Sequence, residues 1–149
     1  MAIISNGTTI ISSGALASGI GGKVLQVVTA TDTTFRETTS TSFVTASNTL
    51  SVNITPASSS NKIFVIVTSI SETASGRGYF TIYRDSTNLG TSTGITENRL
   101  TWNPLSMSTL DSPSSTSQLT YQVYFRNLSG TVYLNNGNTG RITAFEIEG

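Results

Sequence analysis

Hydrophobic and polar residues alternate with a period of two along most of the chain, and nowhere do they recur at the spacing of a helix face. The pattern predicts strands over residues 24–29, 50–54, 63–67, 79–84, 119–125, 131–134 and 141–148, with shorter ones at 43–44, 99–102 and 105–110, the last two on either side of Pro104. Pro56 ends the alternating run of Leu50, Val52 and Ile54. Clusters of Gly, Asn, Asp, Ser and Pro predict turns at 57–61, 85–88 and 111–113, loops at 72–78 and 90–98, and a hairpin turn at 127–130. About eight to ten short strands at regular turn spacing predict an all-β chain, a single antiparallel β-sandwich or jelly roll over residues 22–149. No repeat of fixed period points to a propeller or solenoid. Residues 1–21, rich in Gly, Ser and Thr, carry only the small apolar pairs Ile3 with Ile4 and Ile10 with Ile11, and read as an extended N-terminal arm.

Alternation also sorts side chains between two faces. Leu119, Tyr121, Val123 and Phe125 share one phase, the best alternating run in the chain, and are assigned to the core. Tyr79, Tyr83, Tyr124 and Tyr133 fall on the phase opposite Phe80 and Ile82, Val123 and Phe125, and Val132 and Leu134, so they are expected together on an outward face. Residues 63–67 are apolar on both phases, which requires that both sides of that strand be covered. Phe64, Ile66, Tyr79, Tyr83, Tyr124 and Tyr133 are therefore expected to line a subunit interface, and closed cyclic symmetry is the usual way to bury every copy of such a patch. The plainer alternative is a set of amphipathic tyrosines with wet hydroxyls, which β surfaces carry routinely.

Composition narrows the function. Roughly one residue in three is Ser or Thr, which together with the Val, Ile, Tyr and Phe present favours strands, and 149 residues suffice for one core. Lys plus Arg equals Asp plus Glu at 8 each, and no basic run appears, so neither nucleic acid nor an anionic membrane is an expected partner. The longest apolar run is far too short to cross a bilayer, and the opening residues lack the basic n-region of a secretory leader. Without histidine or cysteine there can be no Ser-His or Cys-His nucleophile, disulfide or thiolate metal site. Glu146 and Glu148 lie at the spacing of one strand face, a separation a glycosidase pair could use, but are read as charges that keep a C-terminal edge strand soluble. Residues 17–24 depart from a phosphate loop at both ends, with Ala17 for the first glycine and Val24 after Lys23. Asp32, Asp85 and Asp111 are isolated, so no catalysis, cofactor or metal is expected. Trp102, between Leu100 and Leu105, is expected in the core; its alternative use is to stack on a sugar ring beside the 90–98 loop.

Residues 82–90 (Ile-Tyr-Arg-Asp-Ser-Thr-Asn-Leu-Gly), 110–113, 121–126, 129–135 and 142–147, with the opening at 4–11, resemble small virion proteins of tailed bacteriophages, notably marine cyanophages, of the fibre-like or head-decorating kind. The resemblance implies a jelly-roll domain of tumour-necrosis-factor-like outline, assembled as a non-enzymatic homotrimer on the virion surface and made in the host cytoplasm. It further implies that the arm docks on a capsid or tail protein, for which Ile3, Ile4, Ile10 and Ile11 are the candidate contacts. No catalytic or binding residue transfers with it. The chain has no shaft of repeats or coiled coil, which separates it from a full-length receptor-binding fibre. The second expectation on the same fold is a carbohydrate-binding module for host adsorption, with Trp102 against a surface glycan.

Overall fold

The structure, a computed structural model, describes residues 23–99 and 101–149 in full, together with the backbone of three strands between residues 3 and 16. Regular structure among them is entirely β: β1 (Ile3–Ser5), β2 (Thr8–Ser12), β3 (Ala15–Leu16), β4 (Val24–Asp32), β5 (Arg36–Thr38), β6 (Ser51–Ile54), β7 (Lys62–Thr73), β8 (Gly78–Arg84), β9 (Thr87–Asn88), β10 (Thr96–Asn98), β11 (Asn103–Asp111), β12 (Leu119–Asn127), β13 (Val132–Leu134) and β14 (Gly140–Ile147). The first three form a separate antiparallel meander in which Ile3 stands opposite Ile11 and Ile4 opposite Thr9. The stretch read as an extended arm thus contains paired strands. Its runs of two to five residues are too short to show a period in sequence, although the Ile and Thr within them suit a pleat. The side chains of Ile3, Ile4, Ile10 and Ile11 lie outside the described residues.

The other strands build a sandwich of two antiparallel sheets. One runs β4-β14-β7-β11, with β13 continuing the β14 row along β7 and β5 lying beside β13. The other runs β10-β8-β12-β6, with β9 folded back on β8. Val44 extends the β6 edge by exchanging two backbone hydrogen bonds with Phe125, at 3.1 and 2.9 Å. The chain crosses between sheets from β6 to β7, β7 to β8, β10 to β11 and β11 to β12, which is the winding of a jelly roll.

Between the sheets, the inward phases meet as alternation requires. Leu119, Tyr121, Val123 and Phe125 of β12 are buried, as are Ile63, Val65 and Val67 of β7 and Phe80 and Ile82 of β8. Phe80 and Phe125 stand opposite in register and stack with centroids 5.9 Å apart. Burial of a large apolar side chain contributes about 1.5–3 kcal/mol relative to exposure, so this cluster, closed by Leu50, Ile54, Leu134 and Ile142, is the main source of stability.

Polar groups inside the sandwich are tied in pairs. Arg84 of β8 holds both oxygens of Asp111 on β11 at 2.9 and 2.8 Å, and Tyr121 of β12 donates to the same carboxylate, so three side chains staple the two sheets together. Burial, reinforced by the Asp111 charge, pushes the Tyr121 hydroxyl pKa well up. Asp32, at the end of β4, accepts from the backbone of Thr34 and Thr49 and from Arg36. Burial alone would raise its carboxyl, but these bonds more than reverse that and hold it below its ordinary value.

Three connections differ from expectation. Residues 127–131 do not close a hairpin: β12 pairs with β8 and β6, whereas β13 pairs with β7 and β5, so this turn passes from one sheet to the other. A two-strand pattern with a Ser-Gly turn looks the same in sequence whether its strands pair or part. Pro104 does not interrupt a strand, because β11 is an edge and a missing N–H facing outward costs no ladder bond. Within 99–102, expected as a strand, residues 99, 101 and 102 lie in no strand and fall between β10 and β11.

Candidate functional site

Each sheet turns one face outward, and the two faces differ. On the β4-β14-β7-β11 sheet, Val27, Phe145, Phe64 and Leu110 stand directly opposite one another in register, one from each strand. Phe64 and Phe145 are half-buried with ring centroids 6.4 Å apart, while Val27 and Leu110, on the two edge strands, are 53% and 54% exposed. The next row is Thr29, Thr143, Ile66 and Ser108, and the one after it Thr31, Arg141, Thr68 and Ser106. The face therefore turns polar within two rows of the apolar one, and on the other side of that row Ile147 stands between Val24 and the exposed Lys62. Continuous apolar surface across four strands of one sheet is the usual mark of a contact site.

The opposite face is aromatic but self-covered. Tyr83 and Tyr124 stack at 4.1 Å, and Phe43 meets Tyr83 edge-on at 6.3 Å. The Arg126 guanidinium lies 4.5 Å above the Tyr79 ring and 5.1 Å from that of Phe43, and donates to the carbonyls of Thr41 and Ser92. This lid leaves Tyr79 only 5% exposed. Tyr133 lies on the other sheet, stacked on Phe35 at 5.3 Å and flanked in register by Glu37 and Glu72.

The six residues expected in one interface are therefore divided. Phe64, Ile66 and Tyr133 face outward from one sheet, Tyr83 and Tyr124 face outward from the other, and Tyr79 is buried beneath Arg126. Alternation locates each outward phase correctly but cannot say which layer a strand joins. Opposite layers point opposite ways.

Sequence reasoning missed Val27, Phe145 and Leu110. For β14 the cause is a reversed phase: Ile142, Ala144 and Glu146 turn inward, so Thr143, Phe145 and Ile147 turn out. Glu146, read as a solubilising charge on an edge strand, is 1% exposed on a central strand between β4 and β7. It accepts from Gln26 Nε2 at 2.6 Å, from the Ala57 backbone N–H at 2.6 Å and from Asn61 Nδ2 at 2.5 Å. Burial by itself would raise its carboxyl; these bonds outweigh that, and its pKa lies below the ordinary value. Gln26, Ala57 and Asn61 were invisible as a constellation because 31 and 4 residues separate consecutive members along the chain.

Glu146 is fully engaged as an acceptor, and Glu148 instead faces Lys23 at 3.6 Å, so the two carboxylates do not form a catalytic pair across a cleft. Among the described residues no group of three or more His, Cys, Asp or Glu is placed to hold a metal. A shallow cleft lined by Glu37, Thr38, Thr39 and Thr131 presents mostly polar surface. Trp102, expected in the core, is 57% exposed between β10 and β11. Leu100, its expected core neighbour, lies outside the described residues. No protein-family model matches the chain, and no curated protein matches it in sequence.

Proposed function

We propose that the protein is a non-enzymatic structural component of a tailed-phage virion, self-associated through the outward face of the β4-β14-β7-β11 sheet as a homotrimer, with residues 1–21 docking on a capsid or tail protein. The observation that carries the assembly is the apolar row through Phe64, with Ile66 beside it. Each large side chain buried there contributes about 1.5–3 kcal/mol, so several per subunit can outweigh the cost of association. The virion role rests on the resemblance of residues 82–90, 121–126 and 142–147 to phage surface proteins. Purified protein should sediment as a trimer. Removal of residues 1–21 should leave that trimer intact yet absent from particles assembled in infected cells; normal incorporation would retire the docking role.

A second reading, a carbohydrate-binding module for host adsorption, is favoured by the exposure of Trp102, whose ring is open to stack on a pyranose. Glycan-array binding abolished by Trp102→Ala supports it. Absence of binding together with co-purification of a capsid or tail protein supports the scaffold.

A further inference from the structure

The connection from β13 to β14 carries chemistry of its own. It reads Asn135-Asn136-Gly137-Asn138-Thr139, and Asn136 with Gly137 is one of two Asn-Gly pairs in the chain; the other, Asn6 with Gly7, lies outside the described residues. A glycine after asparagine matters because, with no Cβ in the way, its backbone nitrogen can close on the asparagine side-chain carbon Cγ. The product of that attack is a cyclic imide.

The turn leaves the attacking nitrogen free. Asn138 donates its backbone N–H to the Asn135 carbonyl at 3.3 Å, which puts Gly137 third in a turn, at φ 68°. Gly137 is exposed, a Cβ added to it would meet nothing within 4 Å, and among the described residues its N–H has no acceptor. Asn135 is the opposite case: its buried side chain accepts from Ser69 Oγ at 2.6 Å and donates to the Thr34 carbonyl at 3.3 Å, and the residue after it is not glycine. The anchor of the turn is therefore fixed while its tip is reactive.

Asn136 itself is tied to a charge. Its Nδ2 donates to Glu72 Oε2 on β7 at 2.7 Å, and its backbone carbonyl accepts from Asn138 Nδ2 at 3.0 Å. While the amide is intact, turning Cγ toward the Gly137 nitrogen means breaking a charge-assisted hydrogen bond. Once the amide has become a carboxylate, the group facing Glu72 has no hydrogen to donate and carries the same charge as its partner. One contact thus delays the conversion and makes it consequential.

We infer that Asn136 is a site of spontaneous deamidation restrained by Glu72, and that its conversion releases the β13–β14 turn from β7. The Gly137 N–H gives its proton to a solvent base, the nitrogen bonds to Asn136 Cγ, and the Cγ–Nδ2 bond breaks, Nδ2 leaving as ammonia with a proton taken from water. One water then opens the imide. Breaking the new Cγ–N bond leaves aspartate, whereas breaking the original peptide bond leaves isoaspartate, with the main chain routed through an additional carbon. Either product moves the net charge from zero by one negative unit.

The test incubates the full-length protein at mildly alkaline pH, where the Gly137 N–H is more readily deprotonated, and sequences the tryptic peptide of residues 127–141 by mass spectrometry. That peptide also holds Asn127, Asn135 and Asn138, which serve as internal controls. Conversion should occur first at Asn136 and yield both acids. Glu72→Ala should convert roughly tenfold faster, the factor that corresponds to losing a hydrogen bond to a charged group, and Glu72→Gln, which keeps an acceptor, should fall between it and the wild type. Asn136→Asp should show faster hydrogen exchange at residues 135–139, largely reversed by adding Glu72→Gln. Conversion of Asn136 no faster than that of Asn138 would overturn the site, a Glu72→Ala rate equal to the wild type would overturn the restraint, and unchanged exchange in Asn136→Asp would overturn the release. Circular dichroism confirms folding, and should Glu72→Ala misfold, Glu72→Gln against the wild type carries the same comparison.

Discussion

Tyr121 of β12 donates its hydroxyl hydrogen to Asp111 of β11 at 2.7 Å, joining the two sheets through a carboxylate that Arg84 of β8 also grips. Deleting that hydroxyl removes one of the donors to a charged, nearly buried acceptor and leaves the ring in place. Tyr121→Phe is therefore expected to lower unfolding free energy by about 1.5–3 kcal/mol, the range for hydrogen bonds to charged groups. Urea denaturation with an unchanged slope would verify it; a loss under half a kcal/mol would show that Arg84 alone satisfies Asp111.

Glu146 should make the fold sensitive to acid. Its folded pKa lies below the ordinary value of 4.5, so its stabilisation is fully present above that value and is lost as pH falls through the folded pKa. In Glu146→Gln the amide oxygen can still accept from Asn61 and Ala57, but its NH2 faces Gln26 Nε2, whose orientation is fixed by a second bond to the Thr55 carbonyl. The variant should be weaker at pH 7 and flatter below pH 4.5, the remaining slope belonging partly to Asp32, whose pKa is likewise lowered. Parallel stability curves for the two proteins would exclude Glu146 as an acid-sensitive group.

Arg126 holds the lid over Tyr79. Arg126→Ala loses contact with two rings and two carbonyl acceptors at once and should cost about 1–2 kcal/mol, with faster hydrogen exchange at residues 91–94. Lysine should not rescue it, since a planar guanidinium stacks and forks where an ammonium cannot.

The two outward faces should respond differently to one inserted charge. Phe64→Asp is expected to give folded monomers, and Tyr124→Asp to leave the oligomer intact, because Tyr124 lies on the far side of the sandwich. Sedimentation of both variants decides it, and a monomeric Tyr124→Asp would move the contact to the aromatic face.

How much of this was legible from residues alone follows from what alternation can and cannot encode. The core run of Leu119, Tyr121, Val123 and Phe125 could be read directly, since four apolar side chains at period two on one strand have one economical orientation. That residues 63–67 also carry apolar side chains on the outward phase was legible for the same reason, Phe64 and Ile66 facing out from β7. Layer membership was not, because it depends on pairing partners far away in sequence, and so Tyr83 and Tyr133 were grouped although their strands belong to different sheets. β14 defeated the reading in another way. Its apolar residues occupy both phases, and the inward place of Glu146 is decided by Gln26, Ala57 and Asn61, which no local pattern connects to it. Trp102 misled because size and hydrophobicity favour burial only where the backbone carries a side chain inward, and Trp102 lies between two strands rather than in one.

The pairing of β4 with β14 bears on how the molecule comes into being. Residues 24–32 are translated more than a hundred residues before the strand they ladder with, residues 140–147. Until then an edge bearing Val24, Leu25 and Val27 waits unzipped in a crowded cell, with such long-range closures placing folding in the milliseconds-to-seconds regime. Nascent chains are thus most prone to clump before residues 140–147 emerge, and a chaperone that shields this ribbon would raise the yield.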